Sequence, residues 1–432
     1  MMGESARLRT DAAAIRAAAI AAVDPAAIVA ARLTVRSGLL LLDGRPLDPA
    51  LDLDTVGRIV VVGGGKAAAG MAAGVEALLG RDRLARHAAA GLVSVPAGCG
   101  RLLTAVEGRQ TRPAAANLPT PAVVAATREM LDLVAGLGPR DLAIAVITGG
   151  GSALVAAPRA GVTLEEKIAT TRRLSEAGAG IAELNAARRE LSDVKGGGLA
   201  RACTAGRLVV LVLSDVIGDD LDVIASGPCM PPGPTEPPGA WITPAGCVVR
   251  HVILGSNTTA VNAAADAARA LGYDTLPRPA VPGSPTEAAA DDVGRRLAAE
   301  ALALVTESRR DGRARAIVEG GESTVVVPVD HGVGGRNQQT VLAALEAIGP
   351  ANWPPGLLLA SLGTDGEDGP TDAAGGFVDA DVAAAVGSTR IDVAGALARR
   401  DAHPLLAAAG GLVITGPTGT NVADVRVVLA RP

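Results

Sequence analysis

Arg58-Ile59-Val60-Val61-Val62-Gly63-Gly64-Gly65-Lys66-Ala67-Ala68-Ala69-Gly70-Met71 is the stretch on which the fold turns. Four consecutive apolar residues, Ile59 to Val62, read as a strand buried on both faces. Three glycines then make a tight turn, and an alanine-rich run to about Leu79 reads as a helix. A strand that passes through glycine into a helix is the layout of an anion site. Backbone N–H groups point outward at the helix start, where the dipole is positive, and glycine lets a phosphate approach. Lys66 adds a full positive charge at that point.

Glycine is abundant here, 54 of 432 residues, so the turn needs support beyond its glycines. It is not a phosphate loop of the GxxxxGK[ST] kind, because Ala67 follows the lysine. Gly63-x-Gly65-x-x-Ala68 satisfies the loose dinucleotide-binding pattern, which also asks for an acid about 20 residues on, at the end of the second strand. The next strand-like run, Ala88 to Val95, ends in Val93-Ser94-Val95-Pro96 and carries no acid.

Of the 40 basic residues only Lys66, Lys167 and Lys195 are lysines. Two of them sit in glycine turns, at Gly65-Lys66 and Lys195-Gly196-Gly197-Gly198. A compact ammonium is expected to matter at those two positions. Lys167, in a polar helical run, reads as a surface residue.

The length predicts two or three domains. Half the residues are apolar but only 1% are aromatic, so the cores must be built from Ala, Val, Leu and Ile. A net charge of −5 with signs mixed argues against a nucleic-acid surface. Four scattered cysteines and four scattered histidines suggest neither a disulfide framework nor a zinc site. With no long apolar run and a charged N-terminus, the expectation is a soluble cytoplasmic protein without membrane contact.

Along the chain, Thr10 to Leu33 reads as two helices broken at Asp24-Pro25. Thereafter strand, glycine turn and helix recur, an α/β grammar. Leu142 to Ile147 is a buried strand leading into Thr148-Gly149-Gly150-Gly151-Ser152-Ala153-Leu154, a second candidate anion turn. A nucleophile elbow would need glycine where Leu154 stands. Leu208 to Leu213 is another buried strand, and it delivers Ser214-Asp215 to its carboxyl end, where α/β ligands bind. Seven prolines between Pro228 and Pro244 mark a linker, and the domain boundary is placed there, giving 1–235 and 236–432. In the second half, strands are expected at His251 to Leu254, Thr324 to Val327, Leu357 to Leu362 and Val425 to Leu429. Arg336 opens a helix, where the dipole disfavours a cation unless an anion joins it. Thr364-Asp365-Gly366-Glu367-Asp368 is dense in carboxylates.

Taken in order, the motifs resemble the glycerate 2-kinase family whose C-terminal half is the MOFRL domain. They are Gly63-Gly64-Gly65-Lys66-Ala67, Gly149-Gly150-Gly151-Ser152, Leu191-Ser192-x-Val194-Lys195-Gly196-Gly197, Ser214-Asp215 and Ala225-Ser226-Gly227-Pro228 in the first half. Gly320-Gly321-Glu322, Gly334-Gly335-Arg336-Asn337-Gln338, Thr364-Asp365-Gly366 and Thr415-Gly416-Pro417-Thr418-Gly419-Thr420-Asn421-Val422 follow in the second. The resemblance covers nearly the whole chain. It implies two three-layer α/β/α domains, the first Rossmann-like with a mostly parallel sheet and the second with a mixed sheet, and a site in a cleft between them. It also implies transfer of the γ-phosphoryl of ATP to the 2-hydroxyl of D-glycerate with Mg²⁺, and a possible homodimer. Lys66, Arg336 and Asp215 would be catalytic. Gly64, Gly65, Gly150, Gly151, Ser152, Lys195, Asn257, Glu322, Asn337, Thr364, Asp365, Thr418 and Asn421 would bind substrate or nucleotide. Asp215, Glu322 and Asp365 would hold the metal.

The chain departs from the family at Asn117-Leu118-Pro119-Thr120-Pro121, where His-Pro-x-Pro-Asp is usual. It also departs in the proline-rich 229–250, which replaces a longer helical segment, and near Glu190 and Gly198, where the family usually has His and Arg. The general base stays open. An NAD(P)H-dependent hydroxypyruvate reductase and a non-catalytic nucleotide-binding protein are the alternatives.

Overall fold

A computed structural model describes residues 3–113, 118–178, 180–231, 240–388 and 392–432. The chain divides into two compact units, Asp24–Ser256 and Met1–Val23 with Asn257–Pro432. The boundary therefore falls at 256/257 rather than 235/236, and the first helix belongs to the C-terminal unit. Residue 117 of the altered loop and residues 232–239 of the proline-rich segment lie outside the described residues. Among the described residues no single helix is long and apolar enough to cross a membrane.

The N-terminal unit is built on a seven-stranded sheet. In spatial order its strands are Val106–Arg112, Ala90–Pro96, Ile59–Gly64, Leu142–Thr148, Arg207–Leu213, Val248–Gly255 and Trp241–Ile242. The first six are mutually parallel and the last is antiparallel. Counted along the chain the parallel strands run 3-2-1-4-5-6, the order of a doubly wound sheet. The strands at its centre are wholly buried, which accounts for their unbroken apolar runs. The order reverses between Ile59–Gly64 and Leu142–Thr148, so both glycine turns emerge side by side at the switch point.

The helix after the first turn, Ala68–Arg86, is rich in small residues for a packing reason. A Cβ on Gly70 would stand 2.8 Å from Pro25 Cβ, and one on Gly74 would stand 2.7 Å from Val29 Cβ. Pro25 and Val29 belong to the helix Pro25–Arg32, whose N-terminus Asp24 caps by accepting from Ala26 N and Ala27 N.

The C-terminal unit has a six-stranded mixed sheet in the order Asp274–Arg278, Arg315–Gly321, Asp424–Ala430, Leu357–Gly363, Gly375–Val378, Leu412–Val413. Only the first pair is parallel. The first helix of the chain, Glu4–Ala21, packs in this unit. Tyr273 donates to Asp11 Oδ2 at 2.7 Å, and Arg9 grips the buried Asp379 through two bonds of 2.6 and 3.0 Å. The strand expected at Thr324 to Val327 does not form. Its residues lie outside the sheet apart from a single bridge at Thr324, and Val326 and Val327 face solvent. Three consecutive valines supply the composition of a strand but not a neighbour to pair with.

Candidate functional site

At the switch point the two turns are stitched together. Lys66 N donates to Gly149 O at 3.0 Å, Ala67 N to Thr148 Oγ1 at 3.2 Å and Gly65 N to Ser94 O at 3.1 Å. The first turn's N–H groups, expected to be bare, are therefore engaged by the neighbouring chain. Its glycines are there for closeness: with φ of +141° at Gly65, a Cβ would fall 2.0 Å from Thr148 Oγ1. Gly64 likewise abuts Val155 and Ser94.

The second turn is the open one. Gly150 adopts a left-handed φ of +74°, and among the described residues no acceptor takes the N–H of Gly150, Gly151 or Ser152. A Cβ placed on Gly150 would meet only Arg112 Nη2 at 3.8 Å and Lys66 Cγ at 3.9 Å. Two cationic side chains thus flank three open backbone donors. Arg112 is a residue that sequence reading missed. It ends the third parallel strand and is 3% exposed, and its one sequence signal is a charged residue closing a strand beside the switch point.

Behind Ser152 lies a buried polar cluster. Ser152 and Ser226 hydroxyls meet at 3.1 Å, and Ser226 donates to Asn185 Oδ1 at 3.0 Å. Ala225, Ser226 and Gly227 all have positive φ, a costly run for non-glycine residues. Lys195 fixes it, with Nζ donating to Ala225 O at 3.0 Å and the Gly196 and Gly197 N–H groups donating to Ser226 O and Gly227 O. Lys195 is 2% exposed, and burial holds its pKa well below the usual lysine range. It is a structural clamp rather than the open ammonium expected of a glycine turn. Lys167, read as a surface residue, is also buried. Its Nζ donates to Arg188 O and Leu191 O, and burial first, then Arg188, lowers its pKa to about 8.

In the C-terminal unit Arg336 heads the helix Arg336–Ile348, as expected, but the anions beside it are the protein's own. Asp424 takes Nε and Nη2 at 2.8 and 2.9 Å, and Glu322 takes Nη1 at 2.8 Å. Burial works to lower the Arg336 pKa, but Asp424 and Glu322 outweigh it and raise it. Burial raises that of Glu322 against the pull of Arg336. Asp368 caps the same helix, its Oδ1 accepting from Asn337 N at 3.0 Å and its Oδ2 from Gln338 N at 2.8 Å. Burial nonetheless lifts its pKa to about 6. Asn337 donates to Asp424 and accepts from Ser361 Oγ.

The remaining expected binders hold the backbone of this region. Asn257 donates to Val422 O and Asp424 O and accepts from Ala280 N. Thr364 Oγ1 donates to Ala423 O and accepts from Val422 N, and Thr418 Oγ1 donates to Thr364 O. Asn421 accepts from Ala423 N. Asp365 accepts from Glu367 N and Asp215 follows the Arg207–Leu213 strand, both half-buried. Asp424 is a second residue missed in sequence, fully buried at the start of the strand Asp424–Ala430.

The expected metal set does not gather. Among the described residues no three Asp, Glu, His or Cys side chains form a group that could hold a metal ion, and Asp215 belongs to a different unit from Glu322 and Asp365. The described residues thus make no all-protein metal cage.

A doubly wound sheet with cations and open N–H groups at its switch point is the arrangement in which α/β proteins hold phosphate groups and nucleotides. Residues 11–242 match the family described as a domain of unknown function, DUF4147, and residues 315–424 match the MOFRL family. The D-glycerate 2-kinase of Thermotoga maritima is 34% identical over 397 residues, covering 88% of this chain and 92% of that protein. An Agrobacterium vitis protein with a provisional hydroxypyruvate reductase name is 36% identical over 401 residues, 87% of this chain and all of its own. The crystal structure of a Thermotoga maritima glycerate kinase superposes with a TM-score of 0.79 at 31% identity, covering 98% and 99% of the two chains. The chain belongs to the DUF4147–MOFRL glycerate kinase family.

Proposed function

We propose that this protein transfers the γ-phosphoryl group of ATP to the 2-hydroxyl of D-glycerate. The observation that carries the reading is the open turn at Gly150–Ser152 with Lys66 and Arg112 beside it, next to a second strand that ends in Pro96 without a ribose-binding acid. Phosphoryl transfer asks a protein chiefly for placement and charge neutralisation. The three N–H groups and two cations take the anionic oxygens of the triphosphate. Lys66, a point charge on a flexible stem, follows the moving group. Arg336 uses three of its five N–H donors on Asp424 and Glu322, leaving two for the substrate carboxylate. Mg²⁺ is proposed to enter with the nucleotide, and when bound it would supply neutralisation of phosphate charge.

The test is a pair of assays on one preparation: ATP-dependent phosphorylation of D-glycerate with the product's phosphate position assigned, and NAD(P)H oxidation with hydroxypyruvate. Phosphorylation at the 2-position with no reductase turnover is the expected result. The reverse would make the chain a reductase, and silence in both would make it a binding protein.

A further inference from the structure

On the helix Glu4–Ala21 one stripe reads Arg9, Ala12, Ala13, Arg16, spaced i, i+3, i+4 and i+7, the spacing of a single face. Opposite it the mixed sheet presents Leu358, Ala360 and Leu362, alternate residues of one strand, with Phe377 beside them. A helix laid on so apolar a surface ordinarily fills it with long side chains, as Leu8 and Ile15 do on the buried stripe of this same helix. The two alanine methyls stop short. They leave a cavity of about 370 Å³, within the size of small-molecule sites, roughly 300–1,000 Å³.

The two arginines at this cavity differ. Arg9 is neutralised by Asp379, with Asp381 also near, and lies over the Phe377 ring at 5.2 Å. Arg16 has neither an ion pair nor a hydrogen bond among the described residues, and burial alone acts on it, lowering its pKa. A half-buried guanidinium without a counter-charge, set on the wall of an apolar chamber, lacks an anion. Among the described residues the chamber's lining offers no acid to supply one.

We propose that this cavity binds a small anionic amphiphile, its alkyl or aryl body against Leu358, Ala360, Leu362 and Phe377 and its carboxylate on Arg16. A planar guanidinium takes a carboxylate through two parallel bonds, which an alcohol cannot reproduce and a cation would oppose. The site lies wholly in the C-terminal unit and is independent of the residues assigned to phosphoryl transfer.

Calorimetric titration of the full chain with straight-chain carboxylates from hexanoate to decanoate tests this, with decanol and decyltrimethylammonium as controls. One decanoate per chain is expected, with affinity rising roughly fourfold per methylene and at least roughly tenfold weaker binding of decanol. Arg16→Gln should bring decanoate down to the level of decanol. Ala13→Phe should fill the chamber and abolish both. A thermal melt on each variant shows that it is folded, and the Arg16→Gln comparison stands by itself if Ala13→Phe is not. Equal binding of decanoate and decyltrimethylammonium, or unchanged decanoate binding in Arg16→Gln, would overturn the proposal. So would a wild-type dimer that Ala13→Phe dissociates while decanoate fails to bind, since the face would then belong to a second copy.

Discussion

The glycine turn at 149–152 and the one at 334–336 look alike in sequence, each leading from glycines into a helix, yet they are put to opposite uses. At Gly334-Gly335-Arg336 the helix start is stopped by Asp368, whose carboxylate accepts from Asn337 N and Gln338 N, while Asp424 and Glu322 hold the arginine. At Gly150–Ser152 no acceptor arrives from the described residues, and Lys66 and Arg112 stand beside the open donors. One turn has been closed by the chain's own anions and the other left for an anion from outside. What separates them is the position of carboxylates distant in sequence, 31 residues downstream of Asn337 in the case of Asp368.

The comparison breaks most visibly at the closed turn. Asp368→Ala leaves the buried N–H groups of Asn337 and Gln338 without their acceptor and takes one acceptor from each of their side-chain amides, and a loss of about 2–5 kcal/mol is expected in a urea melt. A loss below about 1 kcal/mol would mean that the cap is dispensable and the turns are not opposites. At the open turn, Lys66→Arg should lower kcat/KM at least roughly 100-fold, about 2.7 kcal/mol, with the melting temperature little changed. The wider planar fork prefers fixed bidentate partners over a moving phosphoryl group. Near wild-type kinetics in this variant would remove Lys66 from the chemistry.

A finer contrast uses protons. The Asp368 carboxyl titrates at about 6 in the fold, above its ordinary value near 3.8, because burial favours the neutral form. Its contribution to stability is thus full below the unfolded pKa and is lost as pH rises through about 6. Relative to Asp368→Asn, which does not titrate there, the wild type should gain about 2 kcal/mol between pH 7.5 and 4.5. Parallel pH profiles for the two proteins would contradict this. Least costly to the fold is Gly150→Ala. The left-handed φ should cost about 1 kcal/mol and the nearest atoms leave room. Activity should fall by more than that figure, because the open donors must shift; a proportionate loss of both would count against the turn as a cradle.

Much of the scaffold was legible in the residues. Runs such as Ile59–Val62, Leu142–Ile147 and Leu208–Leu213 are continuous and apolar, and their length identifies them as buried strands. Thr324–Val327 is similarly rich in valine, but among the described residues no strand pairs with it, and pairing is not written in a segment's own sequence. Lys195 and Lys167 were misjudged because burial depends on what covers a side chain, which here is the strained 225–227 segment and the carbonyls of Arg188 and Leu191. Arg112 and Asp424 were missed because each is one charged residue at a strand end, with no local pattern to distinguish it from an ordinary edge. The domain boundary followed the prolines, whereas compactness follows contacts.

The helix Glu4–Ala21 begins the chain yet completes the unit formed by residues 257–432. At roughly 5–20 residues added per second, the ribosome needs on the order of ten seconds or more to pass from this helix to the sheet that receives it. Throughout that interval Leu8, Ile15 and Ala19, which end almost wholly covered, have no surface of their own unit to lie on. The newborn protein therefore carries an apolar segment whose own unit is not yet made, while the whole Asp24–Ser256 unit can finish folding. The moment of greatest exposure to chaperones and to sticking comes before the C-terminal half exists.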